Sequence, residues 1–169
     1  MELMVGLVIL AILLAIAVPS MREFIARKRV EGVASELATD MRYLRAQQLQ
    51  RGGTVSIQFG SNQSLTCYTL AVDGGLWCDC KRGVGQACSV ANGVEMKTVV
   101  FQRSSGVVVV STPATTRISL RGLNGLPSAP LQASVSSSLG GEIRVTANLV
   151  ANPSLCSVSG HEGTLKACP

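Results

Sequence analysis

The chain has 169 residues, 47% hydrophobic and 15% charged, with a formal net charge of +5. Such apolar content excludes a disordered chain, and the length allows one ordinary domain with a segment to spare. A surplus this modest argues against a dedicated nucleic-acid-coating protein, and a single histidine, His161, leaves little for histidine-based catalysis or metal binding.

Glu2 opens an otherwise uncharged apolar run, Leu3 to Val18, followed by Pro19-Ser20. The run is shorter than the roughly 20 residues that span a bilayer core, but Met21, Phe24 and Ile25 continue an apolar side. A secretory signal would carry its positive charge before the run. Here Arg22, Arg27, Lys28 and Arg29 follow it, which by the positive-inside rule would leave the next domain in the cytosol. That placement conflicts with six cysteines, whose even number predicts three disulfides in an oxidising compartment. A mature or truncated form lacking a basic leader would remove the conflict.

Glu2-Leu3-Met4-Val5, the Leu/Ile/Ala-rich run and Ala17-Val18-Pro19-Ser20 together resemble the N-terminus of type IV pilins and type II secretion pseudopilins. The resemblance implies cleavage of a precursor by a prepilin peptidase a few residues before the glutamate, and a methylated N-terminal residue. It also implies that Glu2 pairs with the N-terminal amine of a neighbouring subunit. Physics supports the role, because a carboxylate at the edge of a hydrocarbon layer costs a few kcal/mol unless it snorkels or finds a partner. Glu2 and Pro19 are the expected assembly residues. Leu3, Val5, Leu7, Ile9, Leu10, Leu13, Leu14, Ile16 and Val18 would form the membrane and filament core.

Beyond Pro19 the helical pattern resumes. Val30, Val33, Leu37, Met41 and Leu44 recur at three- and four-residue steps, while Glu31, Glu36, Asp40, Arg45 and Arg51 fall mostly elsewhere. Gly52-Gly53 predicts the stop. A continuous helix from Glu2 to Arg51 would be about 75 Å long. Pro19 should kink or locally melt it, and Gly6 and Gly32 are further soft points. Residues 1–24 therefore read as a transmembrane or filament-core half and residues 25–51 as an amphipathic half packing on a head.

Residues 52–169 read as a β-rich head with alternating patterns. The strand candidates are Val55 to Phe59, Leu65 to Val72, Thr98 to Gln102, Val107 to Ser111, Thr116 to Leu120 and Glu142 to Thr146. Gly60-Ser61-Asn62, Ser104-Ser105-Gly106 and the stretch from Gly122 to Pro130 predict turns or loops. The fold class expected is α+β, a long helix packed on an antiparallel sheet.

Asp73-Gly74 is a favoured two-residue hairpin turn, and counting outward from it places Cys67 opposite Cys80. That pairing leaves Cys78 with Cys88, and Cys156 with Cys168 closing a C-terminal loop, although six cysteines allow 15 connectivities. Thiolates of Cys78, Cys80 and Cys88 on zinc are the competing reading, weakened by the lack of a C-x-x-C pair. No metal or other cofactor is called for.

The stretches Ala34 to Arg51, Val55-Ser56-Ile57-Gln58, the Cys67 to Cys80 region, Ile118 to Gly125 and Gly141 to Thr146 more loosely resemble the GspH/FimT/FimU branch of minor pilins and pseudopilins. The branch implies a place at or near a filament tip, with other pilins as partners through the N-terminal helix. It also implies residence in a bacterial inner membrane with the head in the periplasm, followed by the cell-surface pilus. Some members that it resembles bind DNA through a Gly-Arg-x-Arg stretch near the C-terminus. The matching place here, Gly160 to Cys168, lacks both arginines, so that site does not carry over. The residues left for DNA contact are Lys81, Arg82, Arg103, Arg121, Arg144 and Lys166. Catalytic motifs are absent from the sequence: Gly83-Val84-Gly85 lacks a strand-to-helix context, and Trp77 reads as packing against a disulfide. Four readings remain open: a minor pilin of a type IV pilus, a secretion pseudopilin, a DNA-binding tip subunit, and a membrane-anchored periplasmic protein without a filament.

Overall fold

The computed structural model describes residues 2–72, 78–88, 93–112, 117–121, 126–128, 130–148, 152–158 and 165–168, with the backbone alone for residues 2, 3, 14, 19, 126 and 127. Helix α1 spans Glu2–Arg51 without interruption. It remains helical through Pro19, so the expected local melting is not observed. The glycine pair ends it as anticipated. Gly52 adopts φ 65° and its N–H returns to the Gln48 carbonyl at 2.9 Å, a left-handed C-terminal cap that a side chain would strain.

Among the described residues nine strands follow: β1 (Val55–Ser61), β2 (Leu65–Val72), β3 (Val94–Gln102), β4 (Val107–Thr112), β5 (Arg117–Arg121), β6 (Leu126–Pro127), β7 (Leu131–Ser137), β8 (Glu142–Ala147) and β9 (Pro153–Ser157). They form two antiparallel sheets, β3-β2-β1-β5-β6 and β4-β7-β8-β9. The β1–β2 hairpin closes on Asn62, whose side-chain oxygen accepts from the backbone N–H groups of Ser64 and Leu65 at 2.9 and 2.8 Å.

The amphipathic half of α1 fills the space between the sheets' inner faces. Val30, Ala34, Leu37, Ala38 and Leu44 are essentially inaccessible, and they join Ile57, Tyr68 and Leu70 of the first sheet and Val109, Val135, Ile143 and Val145 of the second in one core. Strands β7 and β8 bury alternate residues, as one-sided strands do. Five consecutive residues of β1 are buried instead, because the outer face of its sheet is covered as well.

The cover is the segment 78–88. A short 3-10 turn, Cys80–Arg82, sits in it, and Ala71 of β2 packs with Cys78 and Cys88. Disulfides join Cys67 to Cys80, Cys78 to Cys88 and Cys156 to Cys168, with Cα separations of 5.9, 4.4 and 4.9 Å. The first does not arise from the expected hairpin register. Cys67 lies opposite Gly60 of β1 and Val100 of β3, and Cys80 is in no strand. The chain crosses the sheet's outer face before returning as β3, so the bridge ties a loop onto the sheet rather than two strands together. Asp73-Gly74 and Trp77 lie outside the described residues.

Strands β7 and β9 were not anticipated, and β6 lies inside the stretch read as loop, pairing Leu126 and Pro127 with Arg121 and Leu120. Strand β3 begins four residues earlier than expected, after a register shift between Leu70 and Ala71.

At Gly60 the covering loop comes close against the sheet. A Cβ there would stand 2.8 Å from the Cys80 sulfur and 3.3 Å from that of Cys67. Gly60→Ala is expected to destabilise the protein by about 1–3 kcal/mol through this overlap. Gly32→Ala, whose Cβ would meet nothing within 4 Å, should stabilise α1 by about 0.5–1 kcal/mol. Thermal unfolding of the two variants against the parent checks both, and equal melting temperatures at Gly60→Ala would remove the close approach as a constraint.

Candidate assembly interface

The first half of α1 is apolar, with no cover from the other described residues. Its best membrane-length window has a mean hydropathy of 2.7 and is 0% buried. The expected core residues Val5, Leu7, Ile9, Leu10, Leu13, Ile16 and Val18 are 45–68% exposed, and Met4 reaches 73%. At about 1.5–3 kcal/mol per apolar side chain fully buried, covering those seven is worth on the order of 10 kcal/mol. A bilayer or neighbouring helices can supply that cover. Glu2 begins the helix and Pro19 lies within it; the side chains of both, and of Leu3 and Leu14, are outside the description.

Because α1 is continuous, whatever grips its first half is mechanically joined to the head through its second half. The junction is partly polar. Asp40, 6% exposed, accepts the Tyr68 hydroxyl at 2.7 Å and the Lys97 ammonium at 2.8 Å through both carboxylate oxygens. Lys97 also donates to Glu36, one helical turn earlier, at 2.7 Å. Lys97 and Tyr68 are presented by β3 and β2, where Lys97 pairs with Leu70, one step along from Tyr68 on the same face. Tyr68 is flanked by the rings of Phe59 and Phe101, with centroids 6.1 and 6.2 Å away.

The sequence reading missed this cluster. Asp40 reads in the sequence as one of the polar residues lying mostly off the apolar face, yet it is buried, and nothing in the sequence around Lys97 marks it as facing the helix. The available signal was Asp40 standing between Leu37 and Met41 on the buried stripe.

Burial and the hydrogen bond to Asp40 push the Tyr68 phenol far above its ordinary range. For Lys97, burial works downward, but the hydrogen bonds and charges of Asp40 and Glu36 outweigh it and raise its pKa.

A second acidic anchor holds the covering loop. Glu95 of β3 accepts the backbone N–H of Gly85 at 2.7 Å and of Ala87 at 2.9 Å, and the Thr98 hydroxyl at 2.6 Å. Among the described residues no group of three His, Cys, Asp or Glu is arranged to hold a metal. All six cysteine sulfurs are in disulfides, which removes the thiolates of the zinc alternative.

The six cations considered for DNA contact are divided between the sheets. Lys81 and Arg82 sit on the loop over the first sheet, with Lys81 3.8 Å from Asp79, and Arg121 ends β5. Arg103 follows β3, where its Nε donates to the Asn62 carbonyl at 3.0 Å. Arg144 lies on β8 opposite Cys156, and Lys166 is beside β9 through its carbonyl, which accepts the Ser157 N–H at 2.9 Å. His161 is outside the described residues.

Comparison with known proteins places this geometry in context. A family model described as type II transport protein GspH matches residues 33–155. The crystal structure of the type IV minor pilin FimU from Pseudomonas aeruginosa PAO1 is similar in fold, with a TM-score of 0.55 over 78% of this chain and 91% of that one, at 13% sequence identity. No curated protein matches the chain.

The polar junction should make stability fall in alkali. Tyr68 and Lys97 both hold their protons more tightly when folded, so their contribution is intact below their unfolded pKa values near 10. It is lost as pH climbs above them. Tyr68→Phe is expected to cost about 1 kcal/mol at neutral pH and to flatten the decline above pH 10. Lys97→Met should cost about 1–3 kcal/mol, below the range for a fully buried pair because Lys97 is partly solvated. Thermal melts of the detergent-solubilised chain across this pH interval would measure both, and an unchanged slope in Tyr68→Phe would remove Tyr68 from the linkage.

Proposed function

Since the chain belongs to the GspH family and has a type IV pilin-like fold, we propose that it is a minor pilin that inserts in the inner membrane and then joins a type IV pilus, at or near the tip, where it primes or supports fibre assembly. One observation carries the reading: the exposed apolar half of α1 continues without a break into the central helix of the head. Burial in lipid and burial among neighbouring helices are energetically similar for such a surface, so transfer from membrane to filament exposes little apolar area to water.

In this reading Glu2 selects register, because an unpaired charge in an apolar bundle is penalised while a paired one is tolerated. The partners are other pilins along the apolar half, with the prepilin peptidase acting on the precursor and methylation of the new N-terminus following. The head faces the periplasm, where its disulfides form, and is later displayed on the cell surface. The protein acts by assembly rather than by catalysis. The family description favours a second reading, a pseudopilin of a type II secretion system. None of the contacts described above for Lys81, Arg82, Arg103, Arg121, Arg144 and Lys166 favours DNA capture, so it is not carried further.

Deletion in a background unable to retract its pili is the direct test, read as pilin sheared from the surface. Loss of pili is the expected outcome. Normal pili with impaired secretion would transfer the protein to the second reading. Glu2→Ala should leave membrane insertion intact and reduce recovery of the subunit in sheared filaments by about tenfold or more, as loss of a buried charge pair predicts. Recovery at the parental level would eliminate the glutamate's role.

A further inference from the structure

Where α1 leaves its apolar half, the lower rim of the head closes on it. The β3–β4 corner and the β7–β8 turn meet there. The Ser138 N–H donates to the Gly106 carbonyl at 3.3 Å, and Gly106 takes φ 77° to make the corner. Between this rim and the helix runs a groove of about 230 Å³ lined by Arg22, Ile25, Arg29, Gly106, Ser137 and Leu139 among others.

The groove is amphipathic in a particular sense. Arg22 and Arg29 are two helical turns apart and so lie on one face, while Ile25 between them is 43% exposed and Leu139 on the rim is 54% exposed. Nearby carboxylates are committed elsewhere: Glu23 stands 4.0 Å from Arg27, and Glu31 is 2.7 Å from Lys28. Among the described residues neither Arg22 nor Arg29 takes part in an ion pair.

Position selects the occupant. The exposed apolar side of α1 runs on through Met21, Phe24 and Ile25. At 1.5 Å per residue Arg29 is about 6 Å beyond Ile25, the depth of one headgroup layer. Arg22 would snorkel to the same level. Basic residues at that depth are drawn to anionic lipid, and apolar side chains beside them can enter the upper acyl region.

We propose that this groove and rim form a headgroup-binding collar, in which Arg22 and Arg29 hold the phosphates of anionic phospholipids and Leu139 dips into the bilayer. The collar seats the head on the membrane before assembly. The inference rests on the membrane-anchor reading given above.

The test uses the full chain in nanodiscs of phosphatidylcholine alone or with 30% phosphatidylglycerol, following amide hydrogen exchange at residues 103–107 and 137–141. Nanodisc incorporation, scored first, tests the anchor reading separately, since a chain that does not enter the bilayer refutes that reading and not the collar alone. The expected result is about fivefold or greater slowing of exchange at both segments in the anionic discs, the scale of one basic side chain at an anionic surface. The difference should vanish in the Arg22→Gln/Arg29→Gln double variant and persist in Arg22→Lys/Arg29→Lys. Unchanged exchange across β1 and β2 would establish that the head of each variant is folded. Equal exchange in both lipids would overturn the proposal, as would the same protection from inorganic phosphate in detergent, which would make the groove a general anion site.

Discussion

The structure depends on one helix having to satisfy two environments. Its second half is the common wall of two sheets, whose inner faces would otherwise be open apolar surface. Its first half has no such partner among the described residues. The contrast is visible along a single element, where Leu37 and Leu44 are shielded and Leu7 and Leu13 are bare. A chain built this way is stable as a fold and incomplete as a surface, and the incompleteness favours any surrounding that covers the apolar half.

The polar junction at Asp40 serves a different purpose from the apolar packing around it. Apolar contacts between a helix and a sheet tolerate sliding, since one turn of aliphatic side chains resembles the next. A carboxylate that takes one phenol and one ammonium tolerates none. Tyr68, Lys97 and Glu36 thereby fix both the height and the rotation of α1 against β2 and β3. The direction of the exposed half relative to the head is set by the same contacts, because α1 is one continuous helix.

The helix was legible because it is written in the strongest signals a sequence has: an apolar run, a three-and-four spacing and a glycine stop. The strands were legible where β-branched residues cluster, as in Val107 to Ser111, and less so where serine fills the alternate positions. In β7, Leu131, Ala133 and Val135 do alternate with polar residues, but small side chains gave the stretch the composition of a loop. The structure joins Cys67 to Cys80 by a loop lying on the sheet and not by a hairpin register, since either arrangement places two cysteines at similar distances. Asp40 was hidden for a simple reason. Periodicity marks a residue as facing the core, but only the opposing strands reveal whether a charge there has something to meet.

The two disulfides over the first sheet overlap in sequence, since Cys78 lies inside the interval closed by Cys67 and Cys80. Their combined effect is a shortcut from Cys67 to Cys88 that leaves most of the intervening chain in closed covalent rings. If the head were stretched from its ends, about 60 Å of contour would stay out of reach until a covalent bond broke. The sheet nearest α1 at its polar junction therefore carries a built-in limit on extension, set by covalent bonds rather than by packing.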